Sequence, residues 1–309
     1  METSLTRARP LKVGIMLPDT EREMGGRSAR WADLLAMART AEEAGFDSLW
    51  VADHLIFRFE NEEPRGPWEC WSLLSALAAV TSRVEIGPMV SCTAFRNPAL
   101  LAKIADTVDE ISGGRLILGL GAGWHEPEYR AFGYPFDHRV GRFEEALTIV
   151  HGLLRDGQID FSGTYYEARE CELRPRGPRP GGPPIMIGTT GERMLRLTAR
   201  HAALWNAWGA NSPDRIPALR EKVDAACAAV GRAPATLERT VTVLIDLPNR
   251  TGRPPREKGP FLSGTPEEIA GAFRGYAREG ITHIQAVLDP NTVAGIEALA
   301  PVLSFLDRG

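Results

Sequence analysis

Three stretches of this 309-residue chain bring together side chains able to do chemistry. The first is Asp53-His54, directly after the apolar run SLWVA. An imidazole titrates near neutrality, so His54 is the candidate for moving a proton, with Asp53 either orienting it or anchoring the polar edge of a heterocycle. A strand-end Asp-His pair that only binds loop backbone is the structural alternative.

The second stretch is SGGRLILGLGAG (112–123), followed at once by Trp124, His125, Glu126 and Glu128. Glycines at 119, 121 and 123 strip Cβ atoms from alternate positions, so a flat ring or a backbone can approach this strand end. Trp124 is a candidate to stack on or wall such a ring, with plain packing as the structural alternative, and His125 and Glu128 are candidates to reach a substrate. A dinucleotide fingerprint needs GxGxxG opening a helix, and here Trp, His, Glu and Pro follow instead. The third stretch, GTTGER (188–193), follows a strand and opens a helix, whose free N–H groups suit a phosphate held by Thr189, Thr190 and Gly191. Capping by Thr190 with Glu192 in the first turn fits the same residues, and the lysine of a P-loop is missing.

The elements that must position these groups show in the periodicity. Eight short apolar runs, 13–18, 48–53, 84–90, 115–121, 184–188, 202–208, 240–247 and 282–288, alternate with amphipathic segments at 30–44, 69–81, 98–111, 139–155, 192–201, 213–230, 266–279 and 293–307. Nearly continuous apolar strands, each followed by a helix, call for a parallel sheet covered on its outer face. A single (β/α)8 TIM barrel, α/β in class, leaves no open edge. An open doubly wound sheet is the competing arrangement, since closure does not show in periodicity. Reactive groups of a barrel sit at the carboxyl ends of its strands, which selects Asp53, His54, Ser91, Cys92, Thr93, the 124–128 cluster and Thr189 to Gly191. Of the tryptophans at 205 and 208, one is expected in the core and one at the barrel mouth. Residues 1–11 read as a disordered lead-in, 156–183 as a hairpin insertion after helix four, and 248–263 as a mobile loop on the catalytic face of a catalytic domain spanning 12–309.

A net charge of -4 gives no generally basic surface for nucleic acid, and no apolar run approaches the roughly 20 residues of a membrane span. The four scattered cysteines form no zinc or disulfide pattern and fit a reducing cytoplasm. His138, His151, His201 and His283 lack partners at ligand spacing and read as structural, with no metal site.

Four ordered motifs then carry a resemblance: FDSLWVADHL; FRNPALLAKIADTVDEISGGRLILGLGAGWHEPEYRAFGYPF; PPIMIGTTGERMLRLTARHAALWN; and GTPEEIAGAFRGYAREGITHIQ. Together they resemble the luciferase-like monooxygenase superfamily over nearly the whole chain. That resemblance implies FMN or the deazaflavin coenzyme F420 bound at the strand carboxyl ends, a small-molecule substrate and a homo-oligomer. It places Asp53 and His54 against the redox ring, with His54 exchanging a proton. It also places a non-proline cis peptide at Met89-Val90 behind the ring, Cys92 near the pyrimidine edge, Gly123 and Trp124 in the cofactor site, and phosphate at Thr189, Thr190 and Gly191. Trp124 stands where certain sugar-phosphate dehydrogenases of this superfamily carry a catalytic Glu. The leading expectation is an F420-dependent oxidoreductase moving hydride between deazaflavin and a small organic substrate. An FMNH2-dependent monooxygenase working through a flavin peroxide and a non-catalytic flavin-binding barrel are the alternatives. Arg174, Arg176 and Arg179, or Arg250, Arg253, Arg256 and Lys258, are candidates to attract the acidic coenzyme tail, or else solvated loop charges.

Overall fold

A computed structural model describes residues 10–247 and 261–308. In chain order the strands are β1 (Lys12–Met16), β2 (Ser48–Val51), β3 (Glu85–Pro88), β4 (Ser91–Cys92), β5 (Leu118–Gly121), β6 (Gln158–Ser162), β7 (Glu167–Glu172), β8 (Ile185–Gly188), β9 (Leu204–Trp208), β10 (Glu238–Asp246), β11 (Leu262–Ser263) and β12 (His283–Asp289). The helices are α1 (Trp31–Ala44), α2 (Cys70–Val80), α3 (Pro98–Ser112), α4 (Glu126–Phe132), α5 (Arg139–Asp156), α6 (Glu192–His201), α7 (Ile216–Ala229), α8 (Pro266–Arg278), α9 (Val293–Leu299) and α10 (Pro301–Asp307).

The main sheet runs β3-β2-β1-β12-β10-β9-β8-β5-β4, every neighbour parallel, with β11 added beside β10. β3 and β4 are the two halves of the third apolar run, interrupted at the cis peptide Met89-Val90. β3 pairs with β2, while β4 pairs with β5. The ring closes below the interruption, where Ile86 N–H donates to Arg115 O at 3.0 Å and Ile117 N–H to Ile86 O at 2.8 Å. All eight apolar runs are therefore staves of one (β/α)8 barrel, and the open doubly wound sheet is excluded because both of its free edges are paired.

Where the elements depart from the sequence expectation, local chemistry explains it. The segment 293–307 is two helices, because Pro301 has no N–H to continue the first. Residues 213–215 form a separate 3-10 turn ahead of α7. Helix α4 has seven residues, too short to show a period. Leu11, inside the expected lead-in, is 3% exposed and joins the core. The lead-in up to residue 9 and residues 248–260 of the expected loop lie outside the described residues. Between α5 and β8 stands an antiparallel β6–β7 hairpin, its turn held by Glu145 of α5, which accepts the N–H groups of Thr164, Tyr165 and Tyr166.

Two layers of packing hold the barrel. Outside, strand residues such as Ile15, Leu49, Ile86 and Val243 meet Leu34, Leu74 and Phe273 of the helices. Inside, Met16, Trp50, Met89, Ile117, Met186, Leu204 and Val287 fill the lumen. At its amino end Trp50 Nε1 donates to Ser48 Oγ, which lies 2.7 Å from His283 Nε2. Burial, with Lys12 nearby, depresses the His283 pKa to about 3. The unfolded chain therefore binds a proton at His283 that the native state refuses, and stability falls as pH drops below about 6.5 toward 3. Between pH 7 and pH 5 this one group removes about 2 kcal/mol. Urea unfolding of His283→Gln should show an acid loss smaller than that of the parent by about that amount. Equal losses in the two proteins would place the acid sensitivity elsewhere.

Candidate active site

A cavity of about 1360 Å³ opens at the carboxyl ends of the strands. Its wall includes Asp53, His54, Met89, Val90, Cys92, Gly123, Trp124, Glu128, Thr189 and Thr190 of the sequence candidates. Gly191 and His125 are not on that wall. The His125 ring, 4% exposed, is turned under the loop after β2, where Nε2 accepts the Arg58 N–H at 3.0 Å. Burial lowers its pKa, outweighing the opposite pull of the Glu128 charge, which keeps the ring a neutral acceptor.

Asp53 neither bonds to His54 nor leaves its carboxylate open. Both oxygens take the Arg96 guanidinium, at 2.7 and 3.0 Å, and Oδ2 also accepts Ser91 Oγ–H at 2.7 Å and Cys92 N–H at 3.0 Å. Burial works against the Arg96 charge, but Asp53 and Glu69 outweigh it and push its pKa up. Every one of these bonds joins the end of β2 to the segment after the Met89-Val90 interruption, so Asp53 fixes that bulge. Arg96 stood in the FRNP motif without an assignment. Its sequence signal was masked by Asn97-Pro98, whose helix-start meaning is plain: Asn97 Oδ1 accepts from Ala99 and Leu100 N–H.

The partner of His54 is Glu128, first read as a substrate contact. Its Oε1 lies 2.9 Å from His54 Nδ1, and its Oε2 accepts Leu55 N–H at 2.9 Å. Glu128 is 1% exposed, so it is a buried anchor behind the imidazole. A carboxylate can only accept, so Nδ1 carries a proton and Nε2 is the basic nitrogen, left for the cavity. Phe57 and Trp124 flank the His54 ring at 4.4 and 5.6 Å between centroids.

The glycines after β5 serve a different neighbour from the one their spacing suggests. A Cβ at Gly119 would lie 2.1 Å from Pro88 O, and one at Gly121 would lie 2.6 Å from Val90 Cγ2. They make room for the bulged third stave, and Val90 is thereby presented to the cavity. Gly123, with φ of +73°, faces the Tyr129 hydroxyl where its Cβ would be. Tyr129 OH lies 2.9 Å from Cys92 Sγ, and burial pushes the Cys92 thiol up to about 12, so it stays protonated.

At the far end, α6 begins at Gly191 with no side-chain cap, beside Thr189 and Thr190. Thr189 Oγ1 accepts the Gly191 N–H at 3.2 Å, leaving the first-turn donors open to an anion. Trp205 is fully buried and donates to Thr189 O, while Trp208 is 55% exposed and lines the cavity. Arg174, Arg176 and Arg179 are far from this mouth. Arg176 donates to Leu154 O near the end of α5, and Arg179 binds Asp109 near the end of α3 and Leu116 O. Helix carboxyl ends lie at the amino end of the barrel strands, so Arg176 and Arg179 fasten the insertion to the opposite pole, while the exposed Arg174 pairs with Glu172 within the hairpin. Arg250, Arg253, Arg256 and Lys258 lie outside the described residues.

A glycine-backed bulge, a carboxylate-held histidine and an open helix terminus thus meet around one cavity at the carboxyl end of a closed barrel. The family model described as luciferase-like monooxygenase matches residues 11–246, and the chain belongs to that family. It is 32% identical over 220 residues to an F420-dependent glucose-6-phosphate dehydrogenase of Amycolatopsis mediterranei, covering 67% of this chain and 63% of that one. It is 29% identical over 273 residues to the pyrimidine monooxygenase RutA of Stutzerimonas stutzeri, covering 84% and 74%. The chain spans about six-tenths of the length of the first curated relatives it matches. Among solved structures, an F420-dependent secondary alcohol dehydrogenase with an F420-acetone adduct superposes with a TM-score of 0.79 at 19% identity, covering 96% and 99% of the two chains. A riboflavin lyase solved with modified FMN shares the fold, with a TM-score of 0.77 at 16% identity, covering 97% and 94% of the two chains. Among the described residues no helix is long and apolar enough to cross a membrane.

Removing the charge of Asp53 leaves a largely buried guanidinium with only the exposed Glu69 opposite it. Asp53→Asn should therefore lower stability by about 3 kcal/mol in urea unfolding. A loss below about 1 kcal/mol would show that the clamp is not the support of the third stave.

Proposed function

We propose that the protein is an F420-dependent oxidoreductase that transfers hydride between the deazaflavin and a small organic substrate, with His54 as the catalytic residue that exchanges the accompanying proton. The residues fit such a cofactor on three counts. The cavity has the volume for a tricyclic ring, Met89 and Val90 offer it an apolar backing, and Thr189, Thr190 and the uncapped start of α6 meet its phosphate.

The observation that carries the choice of F420 is a second cavity of about 630 Å³ that adjoins the first at Arg139 and Val140. Its wall adds His138 and Arg193 together with Glu144, which pairs with Arg193, and Glu145, whose carboxylate takes the N–H groups of the β6–β7 turn, so an acidic tail following this path would run past Arg139 and His138. FMN ends at its phosphate and has no use for that continuation. The FMNH2-dependent monooxygenase remains the second reading, favoured by the similarity to RutA.

When bound, the deazaflavin supplies a two-electron hydride donor or acceptor. The chain supplies position and protons. His54 Nε2 accepts the proton of a substrate hydroxyl as its carbon loses hydride, or returns it in the reverse direction. Glu128 holds the imidazole in the tautomer that leaves Nε2 basic and stabilises it once protonated. Phe57 and Trp124 flank the imidazole and limit how its ring can turn.

Anaerobic fluorescence titration with F420 and, separately, reduced FMN tests the cofactor: saturation by F420 at low micromolar concentration with weak FMN binding is expected, and the converse affinities would hand the site to the monooxygenase reading. With a substrate in hand, His54→Ala should lower kcat by about 10² to 10⁴ while F420 still binds. Glu128→Gln should lower kcat about tenfold and move the pH profile, since it alters the base without removing it. Unchanged turnover in His54→Ala would remove the histidine from the chemistry.

A further inference from the structure

The side of the cavity next to His54 is a wall of rings. Phe57 and Phe59 stack at 6.2 Å with planes 10° apart, and Phe59 and Trp124 follow at 6.4 Å and 26°. Trp124 is 55% exposed and Phe59 is 40% exposed, although both line the cavity. Large aromatic surface left open inside a concave site is surface awaiting a ligand. The wall is also braced. His125 packs under Phe59 and Trp124 at 5.0 Å from each and ties their loop through Arg58 N–H. The loop closes on itself through the Phe57–Arg65 bridge, with Arg65 paired to Glu62 and its guanidinium over the Phe59 ring. Such bracing holds the rings in place before anything binds, so little ordering entropy is lost on stacking.

Two parts of the site bear on which ligand meets the rings. The Val90 bulge, propped by Gly121 and fixed through Asp53, backs one part of the cavity. His54, which must reach the substrate, has Phe57 and Trp124 as its ring neighbours. Of those two, Trp124 is the one with an open face on the cavity that His54 also lines. Trp208, 55% exposed, supplies a further open aromatic face on the cavity wall.

Building on the oxidoreductase reading above, we propose that the substrate carries its reacting carbon on a flat, unsaturated or aromatic body that stacks on Trp124 beside His54. Trp124 thus sets substrate class, and His125 is a positioning residue for it. An offset stack has geometry that a puckered saturated ring of similar volume cannot match, so the site discriminates by planarity.

The test compares 2-naphthylmethanol with its saturated counterpart, decahydro-2-naphthylmethanol, by calorimetric binding to the full chain, with F420 binding measured in a separate arm. We expect the planar alcohol to bind at least fivefold more tightly. Trp124→Leu, which keeps apolar bulk and loses the flat face, should erase most of that ratio by weakening the planar ligand alone. Phe132→Leu, an equally exposed aromatic away from the cavity, should leave the ratio as it was. Equal affinities for the two alcohols, no binding of either, or a ratio that survives Trp124→Leu would each overturn the proposal. If F420 binds and the planar preference is missing, the substrate inference alone falls. If the preference holds and F420 does not bind, the cofactor reading falls and the aromatic wall stands.

Discussion

One carboxylate clamp holds the working end of this barrel together. Asp53 ties the end of the second stave to Ser91, to Cys92 N–H and to the Arg96 guanidinium, spanning the point where the third stave breaks step. A strand that abandons its regular ladder at Met89-Val90 needs other bonds to hold its second half in the sheet, and a buried ion pair with additional hydrogen bonds supplies them. Because β3 pairs with β2 and β4 pairs with β5, the break lets Val90 lean over the glycines of the fourth stave and form part of the cavity wall.

The second constraint is the pairing of His54 with Glu128. Both oxygens of Glu128 are engaged, one on the imidazole and one on Leu55 N–H, so the carboxylate fixes ring and backbone together. A histidine held this way has one defined basic nitrogen, and the aromatic residues around it lower the local dielectric. The histidine next in line at the same mouth, His125, is used differently: buried and neutral, it braces a loop. Surroundings, rather than residue type, separate the two: His54 faces the cavity on its Glu128 anchor, and His125 is packed beneath the loop.

The two poles of the barrel divide their duties. At the amino pole, arginines of the insertion bind helix ends and Asp109, and His283 sits neutral in a closed network with Ser48 and Trp50. At the carboxyl pole, the polar groups are arranged around an open cavity. In a linear reading Arg176 and Arg179 were candidates for the coenzyme tail or else solvated loop charges, because sequence distance does not say which pole a loop returns to.

The amino-acid sequence by itself determined the eight staves, their parallel order of succession and the general location of the site. Fully buried parallel strands must be apolar throughout, helix starts such as Asn97-Pro98 are written in local chemistry, and the carboxyl ends of barrel strands are where reactive groups collect. Only the tertiary structure decided the partnerships. His54 and Glu128 stand 74 positions apart and Asp53 and Arg96 43 apart, and no periodicity records which loops meet over a barrel mouth. Periodicity by itself showed nothing of the break in the third stave, because an apolar run reads as continuous; the family resemblance placed a cis peptide at Met89-Val90, and there the hydrogen bonds pass from one neighbour to the other.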